Sequence, residues 1–500
     1  MECKKEFVKI LLESNVLVGK DVLQAINSIP DFISFYRKFN ERRNNGAVII
    51  SNGNVLDILA YVPSQARVAQ SSEAQNTGDS VEIIDSYQGI PKKRSLQDFV
   101  SLFNYRYRAL QKMLVKRKEL DGAVSISRAA HKQDRDEAAI IGMILDKHVT
   151  KNGNVILTLE DPTGTMKVLI NKNKPELLEM AKDCVFDEVV GATGNVNGNF
   201  MFVNNLLVPD IPLTKELKKS PDEVYAAFLG DMHFGHKEFI KESWEKMLKW
   251  IKGETGNEEQ REIAKKIKYI FIVGDLVEGV GIYPSQEKDL EIKDIYEQYN
   301  RFAEYMKEIP GHMQIIICPG NHDAMRIAEP QPPLYKDFAG AIYELPNVTM
   351  VSNPSIVNVH KTENFPGFDV MLYHGFSFIY YADNVESIRA AGGANRIDLV
   401  TKFLLQRRHL APTHTSTLYL PDADKDNHLI ERVPDIFISG HVHCAGVSNY
   451  RNVQVVECGC WIKTTEFQEK VGLMPQPGRV PVINLKTRQG RMMRFYNEDG

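Results

Sequence analysis

From Val224 onward, short unbroken apolar runs alternate with longer stretches of helical period. The runs are Tyr225–Leu229, 269–273, 313–318, 370–373 and 436–438. Each has the length of a strand buried on both faces. Between the first two, Ile240, Trp244, Leu248 and Ile251 recur at helical spacing. Between the second and third, Ile295, Tyr299, Phe302 and Met306 do the same. Strands alternating with helices predict an α/β layered domain over residues 213–500.

Residues 137–212 follow a different rule. Val155, Leu157 and Leu159 alternate with polar residues, as do Met166, Val168 and Ile170, and Asp161-Pro162-Thr163-Gly164 supplies turn chemistry between them. A short helix is expected over 175–182, then strand-like runs at 188–192 and 200–207. Strands, a helix and further strands in this span resemble an oligonucleotide-binding (OB) barrel.

Three further segments precede it. Residues 96–136 read as a basic helical connector: Phe99, Phe103, Leu110 and Leu114 fall on one side, with Arg106, Arg108, Lys112, Lys116, Arg117 and Lys118 among them and Tyr105 and Tyr107 interleaved. Such a helix either faces nucleic acid or packs on a neighbour. Residues 63–95 hold few large apolar side chains and read as a flexible linker with a basic end, Lys92-Lys93-Arg94. Residues 1–62 read as a small helical domain, from Phe7, Ile10 and Leu11 and then Val22, Leu23 and Ile26, with Gly19 between.

Composition changes this picture little. Hydrophobic residues make up 43% and charged residues 25%, so each domain can bury an ordinary core. A net charge of -4 rules out a globally basic chain, though a local stripe is enough to hold phosphates. The six cysteines are scattered, unlike a disulfide framework, and point to a reducing cytoplasm. The first residues are charged, so no secretory signal is expected, and no run is long enough to span a membrane.

The chemistry lies where the five apolar runs end. They lead into Gly230-Asp231-Met232-His233, Gly274-Asp275, Gly320-Asn321-His322-Asp323, His374-Gly375 and Gly440-His441-Val442-His443. Sites in α/β sheets form at the carboxyl ends of strands, so the five loops are expected to converge. Two divalent cations about 3.5–4 Å apart can clamp the attacking and leaving oxygens of a phosphoryl displacement. Such a pair needs a bridging carboxylate, for which Asp275 is the candidate. Mixed carboxylate, amide and imidazole donors suit Mn²⁺ first, with Fe²⁺ or Zn²⁺ as alternatives. His312, His409, His414 and His428 lack this context and read as packing or loop residues. Lys402, Arg407 and Arg408 are candidates for holding a phosphate backbone, or are solvated helix charges.

The five segments, in this order, resemble the calcineurin-like metallophosphoesterase superfamily. The resemblance implies a layered β-sandwich flanked by helices. It implies that Asp231, His233, Asp275 and His443 hold one metal and that Asp275, Asn321, His374 and His441 hold the other. It also implies that His322 protonates the leaving oxygen, with Asp323 orienting it. The wider layout is similar to the small-subunit family of archaeal family D DNA polymerases. Arg407-Arg408-His409-Leu410-Ala411-Pro412-Thr413 and Val433-Pro434-Asp435-Ile436-Phe437 add to this likeness. That resemblance implies a 3′→5′ exonuclease that removes nucleotides from DNA 3′ ends, in a heterodimer or larger assembly with a large catalytic polymerase subunit. The alternatives are a phosphomonoesterase or cyclic phosphodiesterase of the same superfamily, and a non-catalytic scaffold subunit.

Overall fold

In the computed structural model of the chain the described residues are 81–89, 93–133, 135–422 and 424–497, with Phe7. The helical domain expected over residues 1–62 otherwise lies outside them. The chain divides into two units, Met1–Thr77 and Gly78–Gly500, and every described strand belongs to the second.

The described strands are β1 (Glu82–Ser86), β2 (Glu137–Val149), β3 (Val155–Asp161), β4 (Gly164–Ile170), β5 (Val189–Asn197), β6 (Phe200–Leu207), β7 (Tyr225–Leu229), β8 (Ile267–Val273), β9 (Gln314–Cys318), β10 (Val348–Met350), β11 (Ser355–Val359), β12 (Phe368–Leu372), β13 (Ile436–Ser439), β14 (Gly446–Tyr450), β15 (Val453–Glu457), β16 (Arg479–Asn484) and β17 (Gly490–Arg494).

Strands β2 to β6 close into a barrel in the order β2-β3-β4-β6-β5. Only the β4–β6 pair is parallel. The two-residue period explains the closure. Val155, Leu157 and Leu159 on β3 and Met166, Val168 and Ile170 on β4 all turn inward and are buried. Asp161 makes the tight turn between them: its Oδ1 accepts from Thr163 N at 2.7 Å and Gly164 N at 3.1 Å. The helix Pro175–Asp183 follows β4 and begins on its proline, where the missing N–H is harmless.

The remaining strands form two six-stranded sheets, β10-β9-β8-β7-β16-β17 and β1-β11-β12-β13-β15-β14. Alternate residues of one strand serve different layers. On β7, Ala226 and Phe228 face the second sheet, while Ala227 and Leu229 face the helices Lys241–Ile251 and Ile295–Lys307. Phe228, Phe271, Val370, Leu372, Ile436 and Ile438 fill the space between the sheets. The helices Phe378–Asn384 and Ile397–Arg407 cover the outer face of the second sheet. The result is the expected sandwich flanked by helices.

One expectation is corrected, and one open choice is decided. Part of the expected linker, Glu82–Ser86, is an edge strand paired antiparallel with β11. Its signal is short: Val81, Ile83 and Ile84 stand in an otherwise polar run, and Val81 and Ile84 pack against the sandwich cores. Two ion pairs add to the strand pairing, Glu82 with Lys361 and Asp85 with Lys425. The connector helix, Leu96–Leu114, packs on a neighbour, the second of its two readings. Leu110, Leu114 and Tyr107 pack on Ile141, Met143, Val189 and Leu207 of the barrel exterior. Arg106 on the same helix is 0% exposed and pairs with Asp426.

Candidate metal centre

The five loops after β7, β8, β9, β12 and β13 meet. Main-chain bonds tie them pairwise: Asp231 N donates to Gly274 O at 3.1 Å, His233 N to Asp275 O at 3.0 Å and Gly440 N to His374 O at 3.0 Å. Side chains complete the ties. Asp231 accepts from His441 N at 3.0 Å on both oxygens, and Asp275 Oδ1 accepts from His322 N at 2.8 Å.

The backbone at these residues is unusual. Asp231, His233, Asp275, His441 and His443 all have left-handed φ, at 51°, 50°, 51°, 70° and 62°. Each such non-glycine residue costs on the order of 1–3 kcal/mol, and strain of this kind concentrates at functional sites. Gly320 and Gly440 are required for a different reason. A Cβ on Gly320 would lie 2.2 Å from Asp275 Oδ1, and one on Gly440 would lie 2.6 Å from Asp231 Oδ2.

The donors come together in three groups: Asp231, His233 and His443; His233, Glu278 and His322; and Asp275, His374 and His441. Asp275 Oδ2 lies 3.3 Å from His374 Nε2 and 3.8 Å from His233 Nε2. Asn321 Oδ1 is 3.0 Å from His374 Nε2. His374 Nδ1 donates to Val273 O at 2.9 Å, so Nε2 is the nitrogen turned toward Asp275. His233 Nδ1 is taken by Glu278 Oε2 at 2.8 Å, which leaves Nε2 3.1 Å from His443 Nε2 and 3.8 Å from Asp275 Oδ2. Imidazole nitrogens gathered around buried carboxylates, in a cradle that a single methyl group would fill, suit divalent cations. His322 stands at the rim, with its side chain 18% exposed. Its Nδ1 donates to Glu278 O at 2.9 Å.

Crowding acidic and imidazole groups out of water sets their protonation. Burial raises Asp231 to about 7 against the pull of His374. Burial pulls His233 down, but the carboxylates of Glu278, Asp275 and Asp231 outweigh it and hold the ring at about 9. Burial likewise opposes, and Asp275 and Asp231 enforce, a value of about 10 at His374. His441 is pushed down to about 3 by burial and the neighbouring His374. Protons on His233 and His374 offset carboxylate charge that cations would otherwise offset.

All eight residues singled out from sequence are in this cluster or on its rim. Asp323 is beside them, but it does not touch the His322 ring. Its carboxylate accepts from Gly320 N at 2.8 Å and from the Tyr299 hydroxyl at 3.1 Å, so it closes the loop that carries Asn321 and His322. Burial raises it to about 7. Arg407 and Arg408 are corrected outright as candidate phosphate holders. Both are buried: Arg407 pairs with Glu188 of the barrel at 2.9 Å, and Arg408 donates to Ile430 O at 2.8 Å and Glu431 O at 2.9 Å. Of the three candidates Lys402 alone is exposed, with its Nζ 5.7 Å from the centre of the Tyr450 ring. Sequence reasoning missed Glu278, which is 2% exposed and lies against His233 and His322. Its one signal is a carboxylate three positions after Asp275.

Fold and site together place the C-terminal domain in a known class. Residues 225–445 match the calcineurin-like phosphoesterase family. The whole chain can be placed more closely. It is 34% identical to the DNA polymerase II small subunit of Methanothermobacter thermautotrophicus over 89% of this chain and 90% of that one. It is 38% identical to the protein of the same name from Archaeoglobus fulgidus over 81% of this chain and 78% of that one. The corresponding protein of Methanocaldococcus jannaschii is also 38% identical, over 78% of this chain and 64% of its own length. The chain belongs to the archaeal DNA polymerase II small-subunit family, the small subunits of the family D DNA polymerases. The five described cysteines are free, and among the described residues no helix is long and apolar enough to cross a membrane.

Proposed function

We propose that this chain is a two-metal 3′→5′ exonuclease that trims DNA 3′ ends, as the proofreading partner of a large catalytic polymerase subunit. The observation that carries this reading is the position of Asp275 Oδ2, between His233 Nε2 at 3.8 Å and His374 Nε2 at 3.3 Å. Asp275 would then serve both metals. Asp231, His233 and His443 complete one set of donors, and Asn321, His374 and His441 the other. Mn²⁺ suits this donor set, with Fe²⁺ or Zn²⁺ next. When bound, the cations supply an activated water and offset charge on the phosphoryl oxygens.

The protein's own residues do the rest. His322 donates its Nδ1–H to a main-chain carbonyl, so as the acid it is the imidazolium, whose second proton, on Nε2, goes to the departing 3′-oxygen. General-acid help of this kind is typically worth about 10²–10⁴-fold. Asp323 keeps His322 in place through the loop, not through the ring. The products are a 5′-nucleotide and a strand one unit shorter. The barrel and the connector helix favour a polymeric substrate over a small phosphate ester. Single-stranded or mispaired 3′ ends are the substrates proposed, with Lys402 as a candidate backbone contact.

The test is Mn²⁺-dependent release of nucleotides from a mispaired primer, with and without the large subunit. His322→Ala should lose that release while retaining metal and subunit binding. Turnover of small phosphate esters alone would sink the nuclease reading in favour of a phosphomonoesterase or cyclic phosphodiesterase. Subunit binding without any hydrolysis would leave a scaffold.

A further inference from the structure

Glu278 touches two of the proposed working histidines by two different groups. Its carboxylate Oε2 is 2.8 Å from His233 Nδ1, and its main-chain oxygen is 2.9 Å from His322 Nδ1. The carboxylate's other oxygen is also occupied. Gln286 Nε2 donates to Oε1 at 2.9 Å, and the Tyr283 hydroxyl lies 3.2 Å from the same atom. Gln286 cannot reverse this arrangement by turning its amide. Its own Oε1 accepts from Ile282 N at 2.9 Å, and its Nε2 donates a second time to Glu278 O at 3.0 Å. Donors therefore meet Glu278 on both carboxylate oxygens and on its carbonyl.

Resting on the two-metal reading above, we infer that Glu278 is the positioning residue that selects the working nitrogen of both His233 and His322. An imidazole whose Nδ1–H is engaged presents Nε2, and a partner on the outer nitrogen fixes tautomer and ring plane together. At His233 the carboxylate directs Nε2 toward Asp275 as a metal donor. At His322 the carbonyl directs Nε2 to the leaving oxygen. One residue thus sets a ligand through its side chain and the acid through its main chain. A substitution at position 278 separates the two roles.

The chemistry also fixes which side chain can serve. A carboxylate accepts on both oxygens; a carboxamide accepts on one and donates on the other. In Glu278→Gln, an amide oxygen turned to His233 leaves its NH₂ facing the NH₂ of Gln286. An amide oxygen turned to Gln286 leaves NH₂ facing His233 Nδ1. That ring must then carry its proton on Nε2, where the metal lone pair is needed. Neither orientation works, although the side chain has the same size.

The experiment is a Mn²⁺ titration of the full chain and of Glu278→Gln, followed by calorimetry or by the spin signal of free Mn²⁺. One of two sites is expected to weaken by about 10–100-fold, the usual range for loss of an outer partner of a ligating histidine. Saturating Mn²⁺ should restore nucleotide release, because the main-chain hold on His322 is intact. Unchanged affinity in a variant that melts like the wild type overturns the positioning role alone. A wild-type chain that takes up no Mn²⁺ overturns the two-metal reading and this inference with it. A second measurement needs no variant. Nitrogen NMR of Zn²⁺-loaded protein labelled in its histidine rings should find Nδ1 protonated in both His233 and His322, with a second proton on Nε2 of His322 in the form that acts as the acid. A bare Nδ1 on His233 overturns the assignment.

Discussion

The Arg106 guanidinium and the Asp426 carboxylate, 320 positions apart in the chain, meet at 2.7 Å with both side chains fully buried. Arg106 also donates to Pro412 O at 2.6 Å. Burial opposes its charge, but Asp426 outweighs the penalty and holds Arg106 above its ordinary value. The pair fastens the connector helix to the phosphoesterase domain. Arg106→Met should leave the Asp426 charge buried without its partner and cost about 3–5 kcal/mol. Urea unfolding of the variant checks this; a loss below about 1 kcal/mol would mean water reaches Asp426.

His409 shares that carboxylate and predicts an acid limb of stability. Its Nε2 is 2.9 Å from Asp426 Oδ2, and its Nδ1 accepts from Ala411 N at 3.0 Å. Both nitrogens are thus satisfied in the neutral ring. Burial, aided by the Arg106 charge, lowers its folded pKa to about 3 from an ordinary 6.5. Below 6.5 the unfolded chain takes up a proton that the folded chain refuses. Stability present above pH 6.5 should therefore fall as pH drops toward 3, by up to about 1.4 kcal/mol per unit from this group. Unfolding curves at several pH values test it, with His409→Gln expected to flatten the slope.

Metal binding should release protons. His233 and His374 hold protons up to about 9 and about 10, and each must give one up to present Nε2 to a cation. Affinity for Mn²⁺ should therefore rise with pH across the neutral range. Calorimetry in two buffers of different ionisation heat reads the released protons directly. An affinity that is flat between about pH 6 and pH 8 would contradict the proposed ligand set.

A substitution at Gly320 separates close packing from chemistry. Gly320→Ala puts a methyl group against Asp275 Oδ1 at 2.2 Å and Asp275 N at 2.5 Å. Loss of metal uptake is expected even though no donor is removed. Elemental analysis showing the wild-type metal content would mean the loop can shift to make room.

The barrel and the metal loops were legible in the sequence because their causes are local. A two-residue period is enough to send Leu157 and Val168 inward, whatever lies elsewhere in the chain. The metal loops carry a local signal of another kind, ligand-type residues beside glycine, although the carboxylates that Gly320 and Gly440 make room for, Asp275 and Asp231, come from other loops. The strand Glu82–Ser86 was not legible, because Val81, Ile83 and Ile84 are a brief apolar signal in a polar run and the partner strand β11 is distant in the chain.

The sequence by itself determined which residue types stand at five strand ends, and with them the class of chemistry. Only the tertiary structure decided the fate of the other charges. Arg106, Arg407 and Arg408 look alike in sequence to cations that hold DNA, yet their partners Asp426, Glu188 and the carbonyl of Ile430 are 320, 219 and 22 positions away. Glu278 differs in kind: it is near Asp275 in the chain, but the two histidines that give it meaning, His233 and His322, arrive from other loops. A charge reads as solvated or as functional according to what the fold sets against it, and that pairing is not written in the local sequence.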